Sequence, residues 1–142
     1  MCRGNSFIYL DGYDDNYNVE QVKESMKIAL GQFYKRLNSN GILYIDILKE
    51  ECVKHNAIIE KEVSYSNYSS SFKITYDEET NIRINTETII NFEDNSISEI
   101  KIYAYVLREK ELKEMLLEAG FSFVEKLDID SSDVADSFLA KK

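Results

Sequence analysis

Few polar residues of this chain are spaced for catalysis by themselves. His55 is the single histidine, and Cys52 three residues earlier is its nearest soft neighbour. Two such groups fall short of a zinc site, which takes at least three protein ligands. A solvated loop histidine is therefore expected. Asp128, Asp130, Asp133 and Asp136 bring carboxylates close together, but the run lacks the glycine and terminal glutamate of a calcium loop. It reads as a solvated acidic turn. Gly4, Gly12, Gly31, Gly41 and Gly120 are never closer than eight residues. That spacing excludes a G-x-G or Walker-type phosphate cradle within the sequence. Tyr65, Tyr68, Tyr76, Tyr103 and Tyr105 fall in one stretch. They would either line a substrate cover or simply suit a half-buried pleat.

The elements that must position these groups are easier to read. Val19, Val22, Met26, Ala29, Leu30, Phe33 and Leu37 recur at helical spacing, which predicts a helix over 19–37. Asn18, with Gln21 three residues on, is its N-cap and capping box. The turn Asn38-Ser39-Asn40-Gly41 leads into Ile42–Leu48, an apolar run that suits a strand buried on both faces, as in a parallel sheet. From 57 to 107 the pattern switches to alternation, in Ile59/Val63/Tyr65, Phe72/Ile74/Tyr76, Ile82/Ile84/Ile90/Phe92 and Ile100/Ile102/Ala104/Val106. Breaks fall at Asn67–Ser71, Asp77–Asn81 and Glu93–Ser96. The expectation is four antiparallel strands with one face wet, and Ser69-Ser70-Ser71 as loop. Leu112, Met115, Leu116 and Ala119 then form a helical stripe closed by Gly120. Phe121, Phe123, Leu127 and Ile129 alternate as a strand, and 136–141 supplies another.

One domain is all that 142 residues require. The net charge of −9 repels phosphate backbones and argues against nucleic acid as a partner. No apolar run approaches the ~20 residues of a membrane-spanning helix. Two cysteines, Cys2 and Cys52, make no disulfide framework, and the N-terminus is too polar for a signal peptide, so a reducing cytoplasm is expected.

Three segments carry a resemblance. Cys2-Arg3-Gly4-Asn5-Ser6-Phe7-Ile8-Tyr9-Leu10 resembles the C-x-G-N-S-F-x-x-L stretch leaving strand 4 of class I S-adenosylmethionine-dependent methyltransferases of the glycine/sarcosine-like group. Leu37–Asp46 is similar to that family's L-x-P-G-G-x-L-x-I-D turn into strand 5, with Ser39 and Asn40 replacing the proline and first glycine. Glu118-Ala119-Gly120-Phe121 resembles its E-A-G-F passage from the last helix to strand 6.

The resemblance implies an α/β chain with a partial Rossmann-like methyltransferase fold. It would hold a stub of strand 4, strands 5, 6 and 7, two helices, and an inserted antiparallel β-meander over 57–107 that covers the substrate. All of 1–142 would be a single domain, the C-terminal half of the enzyme. By the same resemblance Asn5 touches the substrate, while Arg3, Ser6 and Tyr9 neighbour the S-adenosylmethionine. Tyr103 and Tyr105 are candidate substrate contacts from the meander. Asn5 and Ser6 equally suit a tight turn, and Tyr9 a core position. Glycine-methylating relatives carry an arginine two residues after the strand-5 aspartate. Here that position is Leu48, which cannot grip a carboxylate, so glycine and sarcosine are not the expected acceptors.

The family's cofactor loop lies before the strand-4 segment. The expectation is therefore a small-molecule methyltransferase part that is inactive alone and pairs with a missing N-terminal half or forms a homodimer. A non-catalytic binding or regulatory module is the alternative.

Overall fold

The computed structural model describes residues 6–14, 16–53, 57–128 and 134–142. A short 3-10 turn, Ser6–Tyr9, precedes helix α1 (Val19–Arg36) and strand β1 (Ile42–Leu48). Helix α2 (Glu50–Val53) leads to strands β2 (Ala57–Tyr65), β3 (Tyr68–Asp77), β4 (Ile82–Asn91) and β5 (Ile97–Tyr105). Helix α3 (Glu109–Glu118) and strands β6 (Phe123–Leu127) and β7 (Ala135–Lys141) follow. The strands form two sheets, ordered β1-β7-β6 and β2-β3-β4-β5.

Asn18 caps α1 as expected, its Oδ1 accepting from the Gln21 amide at 3.1 Å. Val22, Met26 and Leu30 are buried along one stripe of α1, and Leu112, Met115 and Leu116 along one stripe of α3. Leu43, Ile45 and Ile47 of β1 join them in one core with Phe138 and Ala140 of β7. Gly120 ends α3 at φ +108, a conformation open to glycine at little cost. The chain then turns so that Phe121 meets Tyr34 edge-to-face, ring centres 5.3 Å apart.

β1 is not in a parallel pair as its apolar run suggested. Its described neighbour is β7, antiparallel, with Ile45 opposite Phe138 and Asp46 opposite Ser137. β7 is antiparallel to β6 as well, so β1 and β6 run parallel with β7 between them. The run is apolar because its Leu43/Ile45/Ile47 face lies in the helix-covered core, while Asp46 opposite is buried by a side-chain relay. Tyr44 donates to Ser137 Oγ at 2.7 Å and Ser137 donates to Asp46 Oδ1 at 2.9 Å. Asp136 sits in β7 rather than in an acidic turn, because Lys126 of β6 holds it at 2.8 Å.

In the other sheet two expectations fail. Ser69-Ser70-Ser71 is not loop but part of β3. All three residues pair with β4, and Ser70 and Ser71 with β2 as well, and that ladder overrides the local turn preference of serine. The sheet also lacks a single wet face. Register places Ile74, Asn85 and Ile102 in one row, and Thr75, Ile84 and Tyr103 in the row on the opposite face. The apolar set of β4 is thus out of phase with those of β3 and β5. Alternation fixes which residues of a strand share a face, and only pairing decides which face that is.

Candidate functional site

Two places stand out, a cavity where β1 finishes and a buried polar stripe on the four-stranded sheet. The first is a cavity of about 190 Å³ between the sheets, walled by Ile47, Leu48, Val53, Val106 and Leu107 and by Tyr76 of β3. Its charged rim is already paired. Lys126 bonds both Asp136 (2.8 Å) and Glu109 (3.3 Å), and Glu109 also takes Lys113 at 2.7 Å. These contacts hold the Glu109 carboxyl below its ordinary pKa, the Lys113 hydrogen bond most of all. Lys126 is pushed up, chiefly by its hydrogen bond to Asp136. Asn81 Oδ1 accepts from both Tyr76 Oη (2.8 Å) and Arg108 Nη2 (3.0 Å). Little of this polarity is left over for a ligand.

The second place has polarity to spare. After the Ser6–Tyr9 turn the chain crosses the free edge of β5, and Gly12 O accepts from the Tyr103 amide at 2.8 Å. A Cβ at Gly12 would overlap the Tyr103 carbonyl oxygen and press on that of Tyr9, so this approach requires glycine. The crossing blunts an edge that would otherwise offer unpaired backbone groups. It also brings Tyr9 over the Ile74–Asn85–Ile102 row, where Asn85 Nδ2 donates to Tyr9 Oη at 3.3 Å. Asn85 is 7% exposed, and its Oδ1 has no partner among the described residues. Arg83, two residues earlier on the same face of β4, has a buried Nε that is likewise unpartnered.

The residues singled out in the sequence separate accordingly. Arg3 and Asn5 lie outside the described residues, as do His55, Asp130, Asp133 and Ile129. Ser6 opens the 3-10 turn, and Tyr9 closes it half-buried. Tyr103 and Tyr105 are not brought together with Tyr9. They point from the other face of β5, where Tyr103 stacks on Tyr17 at 5.2 Å. Tyr105 is buried, donates to Glu111 at 2.8 Å and carries Lys23 4.7 Å above its ring. Burial pushes the Tyr17 phenol up to about 12. Asn85 and Arg83 were missed because polar residues alternating with Ile82 and Ile84 read as the wet side of a strand. No signal in the sequence marks them, because the phase of β4 against its neighbours is set by the pairing alone. Among the described residues, no group of three or more histidine, cysteine or carboxylate side chains could hold a metal ion. No described helix is long and apolar enough to cross a membrane.

No family model matches the sequence, and neither does any curated protein. Solved structures do match the backbone. A sugar N-methyltransferase from Streptoalloteichus aligns over 99% of this chain with a TM-score of 0.68 and 13% identity. The CcbJ methyltransferase from Streptomyces caelestis aligns over 96%, with a TM-score of 0.66 and 13% identity. A SAM-bound amino pentose methyltransferase from Micromonospora echinaspora aligns over 99%, with a TM-score of 0.64 and 12% identity. The chain therefore has the Rossmann-like methyltransferase fold. It spans 54%, 53% and 56% of those three structures respectively.

Proposed function

We propose that this chain is the acceptor-side portion of an S-adenosylmethionine-dependent methyltransferase acting on an amine or hydroxyl of a small molecule. The observation that carries the reading is the backbone likeness to methyltransferases along 96–99% of the chain. The three strands β1, β6 and β7, with a four-stranded sheet between α2 and α3, fit the strands 5, 6 and 7 and the insertion that the sequence resemblance implied. Two of the matched enzymes are described as acting on sugars, which makes a polar, hydroxyl-rich acceptor the natural candidate here.

S-adenosylmethionine, when bound, supplies an electrophilic methyl group. The part left to this chain is to orient the acceptor nucleophile and keep water away. By the resemblance Ser6 and Tyr9 would form one margin of the cofactor site, and the sequence given holds no glycine-rich loop. A few hydrogen bonds of about 1 kcal/mol each fall well short of the ~8 kcal/mol that micromolar binding takes. The chain alone is thus expected to bind the cofactor weakly and transfer no methyl group. The meander β2–β5 would set acceptor choice, and Leu48 disfavours glycine and sarcosine.

The second face of the β1-β7-β6 sheet carries Ile42 and Phe123, each about half exposed. It is our candidate surface for a second copy or for a complementary N-terminal half. The test is to join the chain to any in-frame D-x-G-x-G-x-G segment encoded before it and follow label from methyl-labelled cofactor into amine and hydroxyl acceptors. Transfer by the joined protein, and none by the chain alone, supports the proposal. Micromolar cofactor binding by the chain alone overturns the division of labour.

A further inference from the structure

On one face of the four-stranded sheet a polar stripe of β4 lies between two largely apolar ones. Arg83, Asn85 and Glu87 form the middle stripe of that face. On the β3 side they are flanked by Tyr76, Ile74 and Phe72, and on the β5 side by Ala104, Ile102 and Ile100. A buried polar atom without a partner costs roughly 1–3 kcal/mol, so two on one stripe need a reason. Turning the Asn85 amide over does not remove the cost. Tyr9 Oη then meets the oxygen and the amine is stranded instead. Nor does any described residue pair with Arg83 Nε.

From this we infer that Arg83 and Asn85 form a recognition site for a small hydroxyl-bearing anion, a sugar acid in size and chemistry. The carboxylate faces Arg83, and a ligand O–H donates to Asn85 Oδ1. Glu87 fixes this direction. It lies beyond Asn85 on the same face and accepts from Ser70 Oγ at 2.7 Å, so a negative group is disfavoured at that end. Positions two apart on a strand are separated by roughly 6.6 Å. Glycine, with one carbon between its amine and carboxylate, is too short to engage both. That this anion is the methyl acceptor rests on the function proposed above, whereas its binding does not.

The test is nitrogen-resolved NMR on the whole chain, following the Arg83 Nε–H and the Asn85 side-chain amide during titration with glucuronate and with glucose. Glucuronate is expected to shift both signals, and glucose to shift at most the amide. Arg83→Gln should weaken glucuronate binding at least tenfold, and Asn85→Leu should abolish it, with backbone spectra otherwise native. If neither signal moves with glucuronate, the site is overturned. If both sugars bind equally, or Arg83→Gln changes nothing, the anion assignment is overturned. Glucuronate binding together with failed label transfer in the joined protein would strike the methyltransferase reading and leave the site standing.

Discussion

Phe138 and Asn85 hold equivalent positions in their two sheets: each is buried, and each has a paired strand on both sides. Around Phe138 the polar groups are answered, its β6 partner Lys126 bonding both Asp136 and Glu109. Ile45 lies beside Phe138, Ala140 two residues on, and α1 and α3 close over a core whose polar neighbour Asp46 is hydrogen-bonded through Ser137. Around Asn85 a polar stripe sits between two apolar ones, and two buried atoms have no partner among the described residues. Where pattern, register and hydrogen bonding all concur, the structure is explained by stability alone. Where they conflict, the sequence is answering to something besides folding.

The comparison can be broken most forcefully from the concordant side. Phe138→Ala should destabilise the chain by about 3–5 kcal/mol, since the rigid surroundings cannot fill the void. A urea titration measures this directly. A loss below 1 kcal/mol would mean that the β1-β7-β6 core is not the stabilising unit.

The strap joining the two regions comes next. Gly12→Ala must displace it from Tyr103, at a cost of about 1–3 kcal/mol. Faster hydrogen exchange at the Tyr103 amide, which donates to Gly12 O, should accompany the loss. Unchanged exchange there would show that the edge of β5 is held by other means.

The discordant side makes the opposite forecast. Asn85→Leu removes an orphaned acceptor and one long hydrogen bond while adding apolar contact with Ile74 and Ile102. Stability should therefore change by less than about 1 kcal/mol in either direction. A large loss in the urea midpoint would make Asn85 a structural residue and weaken the case for a site on this face.

Legibility followed the same division. The period of α1, its Asn18 cap, the Gly120 stop and the apolar run of β1 are local signals, and each marks a real element. The phase of β4 is not local, because it is set by the pairing of Asn85 with Ile74 and Ile102, which no single strand encodes. For the same reason the sequence does not disclose that Tyr103 and Tyr105 face away from the Tyr9 side of β5. Ser69–Ser71 was misread because tripled serine is a turn signal only where the backbone has no partner strand. The family resemblance reached the fold, since it rested on turns and caps. It could not reach Arg83 and Asn85, which match none of its motifs.

The smallest effect concerns the seam between the two regions. Glu109 stands on the cavity rim, with Lys113 and Lys126 both bonded to it. Its carboxyl is held below its ordinary value, first by the Lys113 hydrogen bond. On acidification the unfolded chain takes up this proton before the folded one does. The contribution is therefore fully present above the ordinary glutamate pKa of about 4.3 and is lost as pH falls through the lower folded value. Lys126 stays protonated throughout, since it is raised and acid only favours the ammonium. The side chains are about 40% exposed, so water screens the pair and its worth is at most about 0.5 kcal/mol. Glu109→Gln should accordingly lower the urea midpoint slightly at pH 6 and not at all at pH 3. The gap at pH 6 should shrink in 1 M salt, where the screening length falls to about 3 Å. A gap that widened toward acid would reverse the sign of the linkage and mean that the folded state prefers Glu109 protonated.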